Sequence, residues 1–207
     1  VRALCDRHHV PLIADEVMTG FGRTGTLFAC ESASITPDVM CVAKGLTGGM
    51  LPLSATLATG ELFSRFLDRD RGRAFFHGHS FTANPLGCAV ALASLALCRE
   101  DDVPARLDAI GARIEARLRD ALGSLATTYD LRRTGGIVAL DLPSSGDEGY
   151  LAGQALTLRA RAIERGVLLR PLGPVLYAMP PASTTAEEAA RIADVMAELA
   201  AHPAVDG

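Results

Sequence analysis

One lysine stands among nineteen arginines in this chain: Lys44, in CVAKGLTGG. A guanidinium keeps its proton at neutral pH, whereas a partly desolvated lysine releases it, and the free amine adds to a carbonyl to form an imine. Lys44 ends an apolar run, PDVMCVA from Pro37 to Ala43, and enters a glycine-rich turn, which is not the setting of an ordinary solvated surface lysine. A phosphate-loop lysine is a third reading. That loop needs Gly before the lysine and Ser or Thr after it, and here Ala43 and Gly45 stand in those places. Asp15 has a matching position at the end of the apolar run VPLIADEV, Val10 to Val17. As a plain loop or capping acid it carries no chemistry. On a strand beside that of Lys44 it does, because ligands of open α/β sheets gather outside the carboxyl ends of the strands. An amine and a carboxylate so placed suit pyridoxal phosphate (PLP). Lys44 would hold the aldehyde as an imine, and Asp15 would keep the pyridine nitrogen protonated so that the ring takes up carbanion electrons. Glu16 falls on the opposite face if the strand continues through it.

The segment after Asp15, DEVMTGFGRTG, offers a competing chemistry, since Gly20, Gly22 and Gly25 fit the G-x-G-x-x-G fingerprint of dinucleotide binding. That fingerprint needs a preceding strand, a helix opened by the loop, and an acid about 20 residues on. Only the strand is in place. Thr26 to Pro37 carries no sustained apolar stripe, and Glu31 and Asp38 come too early. The dinucleotide oxidoreductase is therefore a weak reading. His77 and His79 are a pair of metal-ligand types, but two ligands make no site, and no metal is expected.

The elements that must position these residues follow from patterning. VPLIADEV reads as a buried strand, PDVMCVA as a second and LSATLAT (Leu53 to Thr59) as a third. A short amphipathic helix follows at Glu61 to Leu67. Asn84 and Pro85 are the cap and first residue of a helix reaching about Arg99. A further helix, Val103 to Leu122, sets Leu107, Ile110, Ile114 and Leu118 on one face. Then come a strand at GIVALDL, a helix from Ala152 to Arg165, and strands at VLLR and VLYAM. A last helix starts at Thr184 or Thr185 with Glu187 and Glu188 three residues on, a capping box. The change of texture divides the chain into an α/β domain, 1–102, and a smaller α+β domain, 103–207.

At 207 residues, 49% of them hydrophobic, with a net charge of −4, the chain holds one good-sized core or two modest ones. No basic excess points to nucleic acid, because Arg65 to Arg73 is interleaved with Asp68 and Asp70, and no apolar run is long enough to span a bilayer. The five scattered cysteines, without C-x-x-C spacing, read as reduced thiols of a cytoplasmic protein. The first residue is Val, and RALCDRHH reads as the end of a helix feeding straight into a strand, so the chain is expected to be the later part of a longer protein.

LIADEVMTGFGRTG, PDVMCVAKGLTGG and FFHGHSFTANPLGCAVALASL, in this order and spacing, resemble the class III (ornithine/ω-amino acid type) PLP-dependent aminotransferases, from about Leu12 to the C-terminus. The resemblance implies an α/β fold: the C-terminal part of the fold type I (aspartate aminotransferase-like) large domain plus a small α+β C-terminal domain. It implies that the glycine-rich segment is an active-site loop and binds no dinucleotide. Residue by residue, it implies Lys44 as PLP anchor and proton carrier, Asp15 at the pyridine nitrogen and Val17 against a ring face. His79 and Ser80 match the stretch that reaches the cofactor phosphate of the partner subunit, with Ser where Thr is usual. Gly78 borders the substrate, Arg170 binds its carboxylate through a bidentate guanidinium, and Arg23 and Tyr177 line the same pocket. Without the resemblance Arg170 also reads as an ion-paired surface arginine.

The partners implied are a small-molecule amino donor, a keto acceptor and a second copy in a homodimer with active sites at the interface. If the natural chain is this short, a separate N-terminal half joins them. The family's first half supplies most of the phosphate site, so these residues alone are expected to hold PLP weakly. An ω-amino acid aminotransferase, an aminomutase, a racemase and a non-catalytic half-subunit are the other outcomes on this scaffold.

Overall fold

The apolar runs that carry Asp15 and Lys44 are neighbouring parallel strands. The computed structural model describes residues 1–143 and 153–203. The chain forms two compact units, one of residues 1–22 and 26–103, the other of residues 23–25 and 104–207. The three residues Arg23–Gly25 thus pack with the second unit, which a single cut at residue 102 does not separate out.

In the first unit, α1 (Arg2–His8) leads into β1 (Ile13–Asp15), and a short α2 (Ala29–Ser32) precedes β2 (Val39–Val42). β1 and β2 pair in parallel with Ile13 opposite Val39 and Asp15 opposite Cys41. β3 (Ala55–Ala58) adds antiparallel to β2, giving the order β1-β2-β3. Asp38 ties the start of this layer together: its carboxylate accepts from the Leu12 N–H and from Arg2, each at 2.7 Å. Both bonds hold the Asp38 carboxyl below the usual carboxylate range, the Leu12 N–H more strongly. Among the described residues β1 is an edge strand of this sheet and Ile13 is 64% exposed, so the burial expected for β1 is not met within this chain. Beyond β3, Thr59 caps α3 (Gly60–Ser64), and Asn84 caps α4 (Pro85–Glu100) by accepting from the Gly87 N–H at 2.7 Å. Phe21, Val42, Leu46 and Ala91 form a small core between the glycine-rich loop, β2 and α4.

The second unit builds a larger core. α5 (Val103–Leu122), α6 (Leu125–Thr128), β4 (Arg132–Thr134), β5 (Ile137–Asp141), α7 (Gly153–Glu164), β6 (Val175–Ala178) and α8 (Ala186–Ala201) follow in order. The strands form an antiparallel sheet, β4-β5-β6. Leu107, Ile110, Ile114 and Leu118 of α5 are all buried, as their spacing requires. Ile114, Leu118, Leu140, Leu158, Leu176 and Met196 lose their entire surface. Side chains of this kind stabilise a fold by roughly 1.5–3 kcal/mol each when fully buried. The capping box of α8 is complete, Thr185 and Glu188 exchanging their hydrogen bonds.

VLLR is not a strand. Val167 and Leu169 are buried and Leu168 and Arg170 exposed, so the alternation is that of a strand, but the segment pairs with no neighbour among the described residues. Pairing closes only afterwards, in the single bridge between Leu172 and Val175. The helix placed from Ala152 runs over Gly153–Glu164, residue 152 itself lying outside the described residues.

Leu118→Ala, which empties fully buried space, is expected to cost about 2–5 kcal/mol. Thr185→Ala, which removes only the capping hydroxyl, should cost about 1 kcal/mol. Urea denaturation of the full-length protein checks this order.

Candidate active site

Parallel pairing puts the carboxyl ends of β1 and β2 side by side. Asp15 sits opposite Cys41, and Lys44 follows three residues later. Both side chains are exposed. Asp15 is oriented locally: its Oδ1 accepts from the Val17 N–H at 3.0 Å, an Asx-type turn that fixes the carboxylate plane. Among the described residues nothing donates to Oδ2, so that oxygen is open to a ligand.

Lys44 opens a 3-10 turn, Lys44–Thr47, from the left-handed region at φ 44°. That conformation costs a non-glycine residue about 1–2 kcal/mol, so the surroundings must enforce it. Three contacts do so. The ring of Phe21 lies against Gly45 so closely that a Cβ there would meet Phe21 at 2.8 Å. Ser94 of α4 donates to the Gly45 carbonyl at 3.1 Å. Thr47, itself buried, donates to the Leu51 carbonyl at 2.6 Å. The lysine therefore projects from a turn pinned on both sides. Lys44 lines an open cavity of about 1040 Å³ together with Thr56, His77, Gly78 and His79.

The residues expected around the anchor are placed as follows. Gly78 and His79 share the cavity with Lys44; Ser80 is exposed and does not line it. His79 Nδ1 accepts from the Phe81 N–H at 3.1 Å, so in this arrangement the ring carries its proton on Nε2. Asp15 and Val17 stand at the adjoining strand end and are not part of the cavity lining. The donor set fits PLP: a primary amine able to form an imine and a carboxylate with a free acceptor for a ring N–H.

In the second unit, Arg170 and Tyr177 line a cavity of about 610 Å³ with Met179, Pro180 and Ser183. Arg23 Nη1 donates to the Pro180 carbonyl at 2.7 Å, which anchors it to one wall of that cavity. Burial pushes the Arg23 guanidinium down from its ordinary value, and among the described residues it makes no ion pair. Gly136 N–H donates to the Arg23 carbonyl at 3.1 Å, and α5 comes so near the 135–136 turn that a Cβ on Gly111 would sit 2.0 Å from the Gly135 oxygen. Arg23 is thus held by backbone at both ends of its side chain.

Patterning gave Glu16 the face opposite Asp15 but no role. Glu16 is only 2% exposed, and its carboxylate accepts from the Thr19 hydroxyl and, at 2.8 Å, from the Cys30 N–H. Burial by itself would raise its pKa, but the bonds from Thr19 and Cys30 outweigh that and hold the carboxyl below its ordinary value. The acid doublet followed by a threonine three residues on was the available signal, and it is a weak one.

Gly45→Ala is expected to destabilise the protein by about 1–3 kcal/mol, because Phe21 leaves no room for a methyl group. The cost should shrink when Phe21→Ala is present as well, and thermal denaturation of the two single variants and the double variant measures that coupling.

The aminotransferase class-III family matches residues 1–199. Adenosylmethionine-8-amino-7-oxononanoate aminotransferase of Synechococcus elongatus is 49% identical over 195 residues, covering 91% of this chain and 44% of the relative. The protein of the same name from Geobacter sulfurreducens is 46% identical, covering 91% of this chain and 42% of the relative. Among solved structures, that of the adenosylmethionine-8-amino-7-oxononanoate aminotransferase of Methanocaldococcus jannaschii superposes with a TM-score of 0.85 at 32% identity, over 98% of this chain and 48% of the other. An amine transaminase from an uncultivated Pseudomonas species, in its PLP-bound form, does so with a TM-score of 0.83 at 33% identity, over 98% and 47%. The chain spans a little under half the length of these relatives, with the fold of the C-terminal portion of fold type I transaminases. By sequence and by fold together, the chain belongs to the aminotransferase class-III family.

Proposed function

We propose that the complete protein is a PLP-dependent aminotransferase that moves an amino group from S-adenosylmethionine to the ketone of 8-amino-7-oxononanoate, forming 7,8-diaminononanoate in biotin biosynthesis. The observation that supports this reading is the parallel pairing of β1 with β2, which brings together the strand ends that carry Asp15 and lead to Lys44, the only lysine. The names of the relatives at 49% and 46% identity support the substrates. A second reading, another ω-amino acid or amine transaminase, has the support of the Pseudomonas structure at 33% identity. Donor and acceptor profiling separates the two. We read the first unit as part of the large cofactor-binding domain and the second as the small domain.

When bound, PLP supplies an electron sink for the pair of electrons left on the donor's α-carbon. This chain's residues do the rest. The Asp15 carboxylate, oriented by the Val17 N–H, would accept from the ring N–H and keep it protonated. Lys44 Nζ would hold the cofactor aldehyde and would serve as the general base for the proton at the donor's α-carbon. Val17 would pack against the ring. Arg170 would receive the acceptor's carboxylate; Tyr177 lines the same pocket, and Arg23 donates to the Pro180 carbonyl on its wall. Gly78 is the residue of the first unit that the family resemblance assigns to the substrate. His79 and Ser80 serve the phosphate site of the partner subunit in a homodimer. The exposure of residues 71–83, with Phe76 at 85%, is in keeping with a segment that a second copy covers. The five free cysteines agree with a cytoplasmic setting.

Borohydride reduction of the full-length holoprotein, followed by peptide mapping, is expected to place the pyridoxyl group on Lys44. Label on another residue, or no label, overturns the anchor assignment. Arg170→Ala is expected to raise the KM for the oxononanoate at least about tenfold, the loss typical of charge-assisted bidentate bonds, while the cofactor's visible absorbance is unchanged. An unaltered KM rules out Arg170 as the carboxylate receptor.

A further inference from the structure

Glu16 lies next to Asp15 in sequence and on the other side of the strand end in space. Its backbone N–H donates to the Cys41 carbonyl at 2.9 Å, extending the β1–β2 ladder by one bond beyond the Asp15–Cys41 pair. Its own carbonyl accepts from the Gly20 N–H at 3.0 Å, and a Cβ on Gly20 would lie 2.8 Å from that oxygen. The carboxylate takes the Thr19 hydroxyl on one oxygen and the Cys30 N–H on the other. One residue therefore binds strand β2, the first turn of the glycine-rich loop and the start of α2.

The loop so held carries Phe21, kept in the left-handed region at φ 60° by a bond from its N–H to the Leu27 carbonyl at 2.6 Å. Phe21 packs edge-on against Phe28, ring centroids 5.6 Å apart, and its other side presses on Gly45. The path of contact runs from Glu16 through the loop to the residue that follows Lys44. Stability alone does not call for a charge here. A buried carboxylate satisfied by neutral donors is costly to desolvate, and apolar groups of equal volume often replace buried charges without loss. What an apolar side chain lacks is direction: it does not fix a hydroxyl and an N–H from two segments at set angles.

We propose that Glu16 is a positioning residue that locks Asp15 and Lys44 into one frame, its backbone fixing the carboxyl end of β1 and its carboxylate fixing the loop that clamps Gly45. The proposal rests on the reading of Lys44 and Asp15 as the cofactor pair. It goes beyond that reading by assigning catalytic geometry to a side chain that touches neither cofactor nor substrate.

The test uses the full-length holoprotein as wild type, E16Q, T19V and T19S. E16Q keeps the shape but turns one acceptor oxygen into a donor; T19V removes the hydroxyl donor; T19S restores it. Two readings are taken well below each variant's melting temperature: PLP titration by its visible band, and the single-turnover rate with the amino donor at saturating PLP. E16Q is expected to weaken PLP binding and slow the single turnover, each at least about tenfold, with the KM for the donor within about twofold of wild type. T19V should shift both in the same direction by less, and T19S should return them toward wild type. A purely structural role would lower the melting temperature and leave the turnover rate at saturating PLP unchanged, and that result in E16Q and T19V overturns the proposal. Should E16Q fail to fold, the T19V and T19S pair decides by the same readings. A wild-type protein that forms no visible cofactor band overturns the Lys44 reading and the proposal together. A normal wild-type band with unaltered variants overturns the Glu16 assignment alone.

Discussion

Everything at the candidate active site depends on the parallel register of β1 and β2. With Asp15 opposite Cys41, the carboxylate leaves its strand one residue before β2 ends and three positions before Lys44. A slip of one residue would turn every side chain of β1 to the other face, sending Glu16 outward and Asp15 into the small core. The register is fixed from both ends. Asp38 holds Leu12 and Arg2 where β1 begins, and the Glu16 N–H holds the Cys41 carbonyl where it ends. Because these anchors are hydrogen bonds of fixed direction, they define an angle as well as a distance, which hydrophobic contact at an exposed edge strand does not.

The glycines that imitate a dinucleotide loop have a packing role. At Gly20 and Gly45 the missing Cβ lets one stretch of chain lie directly on another: Gly20 on the Glu16 carbonyl, Gly45 on the Phe21 ring. The short α2 that follows spans only Ala29–Ser32, too little to present a helix end to a pyrophosphate, and its first turn is already occupied by the Glu16 carboxylate. The same economy of side chains governs the second unit, where Gly111 and the 135–136 turn admit residues 23–25 against α5.

In the second unit the core determines where the pocket residues point. Val167 and Leu169 are buried, and because successive side chains in an extended segment alternate, Arg170 must face outward. Tyr177 alternates in the same way between Leu176 and Ala178, both buried on β6. The cavity that Arg170 and Tyr177 share is thus a by-product of how their apolar neighbours pack. Arg23 donates to the Pro180 carbonyl on its wall, its positive charge left without a carboxylate among the described residues.

Sequence by itself pointed to the family and its cofactor class and laid out most of the elements. A single lysine in a chain of arginines singles out Lys44 as the candidate amine, and local signals were strong wherever the physics is local. The Asn84–Pro85 cap, the capping box at Thr185 and the apolar stripe of α5 each act within a few residues, and each appears as read. Tertiary structure decided what depends on a distant partner. VLLR has the alternation of a strand, but ladder bonds need a neighbour and periodicity does not supply one. β1 has the composition of a buried strand, and among the described residues nothing pairs with its outer edge, so Ile13 is uncovered there. Glu16 looked like an ordinary acid beside a more interesting one. Its burial, and the donors that make that burial tolerable, arise from segments that meet only when the loop folds back on the strand end, because the energy of a buried charge is set by what surrounds it in space.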